Sequence, residues 1–131
     1  MPLGAWALAA WDLPLDPQMV EAGHWAWADP TPALPGIPGI PLTNYAGWVL
    51  VALVIQALLH AAVPRGVRPG APAGAAVGAG APALLLGWTW LGSALAGVAF
   101  FGRPWAGLWV FVVMGLVAAP ALLRVLRPPR P

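Results

Sequence analysis

Apolar residues in this chain come in long unbroken runs rather than in alternation with polar ones. Asn44 to Val63 reads NYAGWVLVALVIQALLHAAV, with no formal charge except the one His60 can take. Pro82 to Phe101 reads PALLLGWTWLGSALAGVAFF, and Trp105 to Leu123 reads WAGLWVFVVMGLVAAPALL. Each run holds the ~20 residues that carry a helix across ~30 Å of hydrocarbon at ~1.5 Å per residue. Hydrocarbon offers backbone N–H and C=O groups no partner, so a span is a helix or a strand of a closed barrel. Barrel strands alternate apolar and polar positions, and these runs do not. The pattern therefore predicts three transmembrane helices, over 44–63, 82–101 and 105–123.

The intervening stretches fit that reading. Gly102-Arg103-Pro104 predicts a tight turn, with Pro104 opening the last helix. Residues 64–81 carry Arg65 and Arg68 and then a run of Ala, Gly and Pro, a flexible connector of low complexity. Pro120 falls inside the third span and is expected to kink its final turn. Pro2 to Leu13 is apolar but too short to cross, and reads as the last half of a spanning helix or as a re-entrant segment. Asp16-Pro17 supplies an N-cap and a proline at the first helical position, predicting a short interfacial helix through about Trp27. Thr31 to Pro41 (TPALPGIPGIP) predicts an ordered turn or extended strip. The expected fold class is all-α: a polytopic transmembrane bundle forming one membrane domain over 1–131. Within it, 1–43 holds the motif-bearing partial helix, the interfacial helix and the Pro/Gly loop, 44–123 holds the three spans and 124–131 is a basic tail.

Composition agrees. Hydrophobic residues make up 60% of the chain and charged ones 8%, against roughly 25% charged in a soluble domain. The lipid bilayer is thus its expected surroundings. All six basic residues are arginines, and they flank the spans without forming a basic face, which excludes a nucleic-acid partner. Cysteine is absent, so disulfides, thiolate-bound metal and cysteine nucleophiles are excluded. The first apolar stretch has no Lys or Arg before it, unlike a signal peptide. Arg65, Arg68, Arg124, Arg127 and Arg130 fall on one side of the predicted topology and Arg103 on the other. That asymmetry predicts a multi-pass protein of the cell membrane with a cytoplasmic C-terminus. Trp48, Trp88, Trp90, Trp105 and Trp109 read as an aromatic belt near the span ends.

All four acidic residues, Asp12, Asp16, Glu21 and Asp29, fall in the first 29 positions, among Trp11, Trp25 and Trp27. Asp12 and Asp16 are four apart and share a face on a continuous helix, although Pro14 between them bends or breaks it. At a bilayer margin a carboxylate is costly to ionise, and a paired one more so. Such a pair suits a Brønsted acid acting on an apolar substrate, with indole faces to stabilise a cation. The plainer alternatives are a helix cap for Asp16, solvated interfacial roles for Glu21 and Asp29, and a simple hydrogen-bonding role for His24. Gln56 and His60 form a polar stripe expected to face the bundle interior. Ser93-xxx-Gly97 fits close helix packing. Two histidines thirty-six positions apart, with no local ligand spacing, make a poor metal site.

Three ordered stretches carry a family resemblance: Trp11-Asp-Leu-Pro-Leu-Asp-Pro-Gln-Met-Val, Gly23-His-Trp-Ala-Trp27 and Gly39-Ile-Pro-Leu-Thr-Asn-Tyr-Ala-Gly-Trp48. Together they resemble a family of carotenoid biosynthesis membrane proteins, which includes the CruF-type carotenoid 1,2-hydratases and bisanhydrobacterioruberin hydratases. The matching positions are Asp12, Asp16, Pro17, Gly23, Trp25, Trp27, Gly39, Pro41, Asn44, Gly47 and Trp48; residues after about Val63 match as generic membrane helices. Family members are longer, with further helices ahead of this region, so the chain resembles their C-terminal half. The resemblance implies a hydratase that adds water across the terminal double bond of an acyclic carotenoid. Asp12 or Asp16 would protonate the alkene, and Trp25 or Trp27 would shield the cation. Water oriented by the other carboxylate, His24 or Asn44 would then add, while Trp11, Tyr45 and Trp48 complete the substrate-binding wall. That chemistry requires no cofactor and no metal. Other carotenoid-biosynthesis enzymes and an N-terminal half are the implied protein partners. The alternatives are a non-catalytic membrane subunit or carotenoid-binding scaffold, an inactive fragment of the enzyme, and a transporter fragment using Gln56 and His60.

Overall fold

A computed structural model describes residues 2–62 and 80–127. Five helices lie in those segments: α1 (Pro2–Ala10), α2 (Asp12–Glu21), α3 (Leu42–Ala62), α4 (Gly80–Ala99) and α5 (Pro104–Leu126). No strand occurs among the described residues; Ala33 and Pro41 make one isolated antiparallel bridge. The helices α3, α4 and α5 are each long and apolar enough to cross a membrane. The chain is thus an all-helical, multi-pass membrane protein, with the spans shifted by one to three residues from their sequence-predicted bounds. Arg65, Arg68, Arg130 and the 64–79 part of the predicted connector lie outside the described residues.

The entry segment differs most from expectation. Pro14 offers no N–H to the carbonyl of Ala10 and its ring crowds that oxygen, so the helix breaks into a turn at Trp11. Trp11 keeps helical dihedrals (φ −65°, ψ −24°), which makes α1 and α2 one interrupted rod. Asp16 does not cap a new helix, as Asp16-Pro17 suggests, because α2 has already begun at Asp12 and carries Pro17 inside it. Nor does the helix reach Trp27. It stops at Glu21, where Gly23 (φ +75°) lets the His24 N–H reach the Met19 carbonyl and the Gly23 N–H reach that of Val20. This Schellman arrangement satisfies the last carbonyls and turns the chain away.

The rod α1–α2 runs antiparallel to α3, since Gly4 meets Gln56 and Asp12 meets Asn44, and to α5, since the Trp6 indole donates to the Val113 carbonyl at 2.8 Å and Glu21 meets Arg103. Gln56 accordingly faces α1, whereas His60, one turn on, is exposed and does not face the interior. Helices α4 and α5 form a close hairpin around the expected Gly102-Arg103-Pro104 turn. A Cβ on Gly107 would stand 2.7 Å from the Ala94 carbonyl oxygen, and one on Gly97 would stand 3.0 Å from the Gly107 Cα. Backbones approach this closely only where side chains are absent. Trp90 sits mid-span, donates to the Phe111 carbonyl and stacks on its ring at 5.3 Å, so it joins the hairpin and not an interfacial belt. Ala10, Leu13, Ala94, Val110, Met114 and Ala118 form the core where the rod meets the hairpin. Pro120 lies within α5, which continues past it to Leu126.

Candidate functional site

The strip between α2 and α3 positions the site. Leu34-Pro35-Gly36-Ile37 is a tight turn closed by the Ile37 N–H on the Leu34 carbonyl, with Gly36 at φ +77° under the Trp105 ring. Ile37 and Ile40 are buried against Ala106, anchoring the strip to the start of α5. From there Leu42 N–H reaches the Pro32 carbonyl at 2.7 Å and Asn44 N–H that of Pro41 at 3.0 Å. Strip and anchor together fix the first turn of α3.

That turn sets Asn44 opposite the two acids. Asp12 and Asp16 lie one turn apart on the same face of α2 and are nearly inaccessible, at 5% and 2% exposed. The Asn44 side-chain nitrogen donates to Asp12 Oδ2 at 2.9 Å and also to Asp16 Oδ2. One amide NH2 carries two hydrogens, so a single group serves both carboxylates.

Two carboxylates around one neutral donor cannot both ionise cheaply. The pair lies on α2, outside the three long spans. Burial raises both groups above the ordinary carboxylate range. Asp12 is pushed up to about 7, first by burial and then by its neighbour Asp16, against a smaller opposite pull from Asn44 and Trp48. Asp16 is held back by the hydrogen bonds it receives from Asp12 and Asn44. The two titrate as a unit, and Asp12 is the member pushed up by its neighbour, whereas the bonds from Asp12 and Asn44 hold Asp16 back.

Beside the pair lies an apolar cleft of about 160 Å³ between the rod, α3 and α5. Its walls include Ala9, Leu13, Leu34, Tyr45, Val49 and Trp109. Leu13 and Tyr45 are the chain neighbours of Asp12 and Asn44, although neither carboxylate itself lines the cleft. The Tyr45 hydroxyl is buried and has no hydrogen-bond partner among the described residues. A larger cleft of about 360 Å³, with Gln18, Thr89, Ser93 and Arg103 on its walls, lies between α2 and the hairpin. Its α2 residues, Pro14 and Gln18, are on the helix face opposite the acids, at ~100° of rotation per residue.

The structure thus brings together Asp12, Asp16, Asn44 and Tyr45, with Trp48 one turn further along α3. It does not bring His24 or Trp25 to them. Both follow the end of α2, about two helical turns beyond Asp16, and both are exposed. Trp27 packs on the Ile37 and Ile40 cluster instead, and Trp11 is more than half exposed at the break in the rod. Sequence reasoning missed the rest of the cleft wall, notably Trp6, Leu34 and Trp109, and the pairing of Glu21 with Arg103 at the hairpin turn. Leu34 sits on the Pro/Gly strip, and no spacing rule ties it to helices far along the chain. Among the described residues no cluster of three potential metal ligands occurs.

A family model described as carotenoid biosynthesis protein matches residues 1–118. No curated protein and no solved structure matches the chain.

Proposed function

The chain belongs to the carotenoid biosynthesis protein family, and from that premise we propose that it adds water across the terminal C=C of an acyclic carotenoid. The observation that carries this reading is the pair of buried carboxylates sharing the Asn44 amide beside an apolar cleft. Asp12, holding the proton, gives it to the less substituted alkene carbon, and the electron pair of the double bond forms the new C–H bond. The cation is left on the carbon bearing two methyl groups. Water then adds there, and its surplus proton passes to a carboxylate of the pair, which restores the starting charge. Carbon is neither oxidised nor reduced overall, so the step calls for an acid and a base and for no electron carrier.

The placement of Asp12 and Asp16 behind the cleft wall favours one second reading. In it the acids and Asn44 only pin α2 to α3, and the protein is a carotenoid-binding scaffold. Asp12→Asn and Asp16→Asn, made singly and expressed in a host that accumulates lycopene, separate the two. As general acid and base their loss lowers hydroxylated product by about 100-fold or more. Unchanged hydroxylation in both variants would rule out the acid assignment.

A further inference from the structure

Trp48 stands one turn past Asn44 on α3, and the packing of the rod against α3 fixes what it meets. Gly4 lies against Gln56 at one end of that contact, and Asp12 and Asp16 lie against Asn44 at the other. The two run antiparallel, so each turn back along α3 is a turn forward along the rod. From Gln56 opposite Gly4, about two turns lead to Trp48 on α3 and to Asp12 on the rod. Helical side chains lean toward the N-terminus of their own helix, which carries the Trp48 indole back toward Asn44 and the acids. In keeping with that register, a hydrogen bond from the Trp48 side chain bears on Asp12 and not on Asp16. Among the described residues the other titratable groups about Asp12 are Asp16 and Tyr45. Helix α1 carries no titratable side chain, α5 meets the rod through Val110, Met114 and Ala118, and Arg103 at the head of α5 is paired with Glu21.

We propose that the Trp48 indole N–H donates to the Asp12 carboxyl and holds it in place as it gives its proton to the alkene. Trp48 acts through Asp12 and is a positioning residue; the role rests on the hydratase reading. As the Asp12 O–H bond breaks, its electron pair stays on the carboxylate, and the proton forms the new C–H bond with the π pair of the alkene. The charge left on Asp12 finds the indole N–H already beside it. An indole has one N–H to give, and donation to the ionised carboxylate favours that form. Loss of the N–H therefore makes Asp12 a weaker acid. This differs from the substrate wall that the family resemblance implies for Trp48, because an indole serving only as wall leaves the titration of Asp12 unchanged.

Trp48→Phe removes the N–H and keeps an aromatic ring. Purified protein in vesicles is titrated by infrared spectroscopy, following the carbonyl stretch of the protonated carboxyl that Asp12→Asn loses. Hydration of lycopene is measured over the same pH range. In Trp48→Phe the loss of that band and the decline in hydration move together to higher pH, by about one unit, as one hydrogen bond to a charged group requires. A band that titrates as in wild type, or at lower pH, overturns the proposal whatever hydration does; slower hydration with an unmoved band returns Trp48 to the substrate wall. A moved band with an unmoved hydration profile overturns the role in proton transfer and leaves only the bond. Should Trp48→Phe not accumulate, wild type with isotope-labelled indole nitrogens decides by magnetic resonance. One indole N–H signal, retained in Trp11→Phe, shifts with the midpoint of the Asp12 band and stands still in Asp12→Asn; absence of such a signal overturns the proposal. A wild type that does not hydrate lycopene defeats the hydratase reading itself, and the infrared band keeps that failure apart from a failure of the bond.

Discussion

At the scale of single residues the controlling fact is one amide shared by two acids. Asn44 turns its side-chain nitrogen to both carboxylates, one hydrogen for each. The consequence for pH has a definite sign. The folded-state pKa of Asp12 lies near 7, above its ordinary 3.8. Its contribution to stability is full below about 3.8 and is lost as pH rises toward 7. Hydration follows the same proton: its rate should decline as pH is raised through about 7, as measured in membranes with lycopene. A rate that is level or rising from mildly acid to mildly alkaline pH would contradict Asp12 as the donor. The pairing of Asp12 with Asp16 is readable from their spacing, whereas Asn44 lies 28 and 32 positions away. Only the motif resemblance drew Asn44 toward them. His24 and Trp25 attract attention by chemistry and proximity in sequence, but a glycine able to adopt positive φ ends the helix before them and carries both away.

Among the helices, the α4–α5 hairpin shows how little the apolar pattern says about contact. Hydrophobic run length predicts both spans, because hydrocarbon thickness sets it. The crossing point depends on which glycines meet, and run length is blind to that. Gly107 and Gly92 make the contrast testable. Gly107→Ala drives a methyl to 2.7 Å from a backbone carbonyl, and should destabilise the protein by roughly 1–3 kcal/mol. Gly92→Ala meets nothing within 4 Å, and should be neutral or stabilising by up to ~1 kcal/mol through helix propensity. Unfolding of both variants in mixed micelles gives the comparison; equal effects would mean the hairpin is not held by close backbone approach. The same logic explains the break in α1–α2. Proline spacing forecasts a disturbance near Pro14, but the helix resumes at once because Trp11 keeps helical dihedrals and Leu13 enters the core.

For the whole molecule, the two halves of the site are unequally supported. The rod carrying Asp12 and Asp16 is wedged between α3 and the hairpin, with Leu13 in the core and Glu21 paired to Arg103. Asn44 and Tyr45 ride on α3, of whose apolar window 6% is buried, against 22% and 28% for α4 and α5. Among the described residues α3 packs chiefly on α1. Its remaining surface, including Leu50, Val54 and Leu58, is exposed. Bilayer thickness then acts on the site through α3. A membrane much thinner or thicker than the ~30 Å such helices match would be met by tilt of the least-packed span, and tilt of α3 moves the donor relative to the acids. Hydration in vesicles of graded acyl-chain length should peak at intermediate thickness, and a flat profile would refute the idea. Such a peak would make the bilayer, acting through α3, a determinant of where the Asn44 amide stands relative to Asp12 and Asp16.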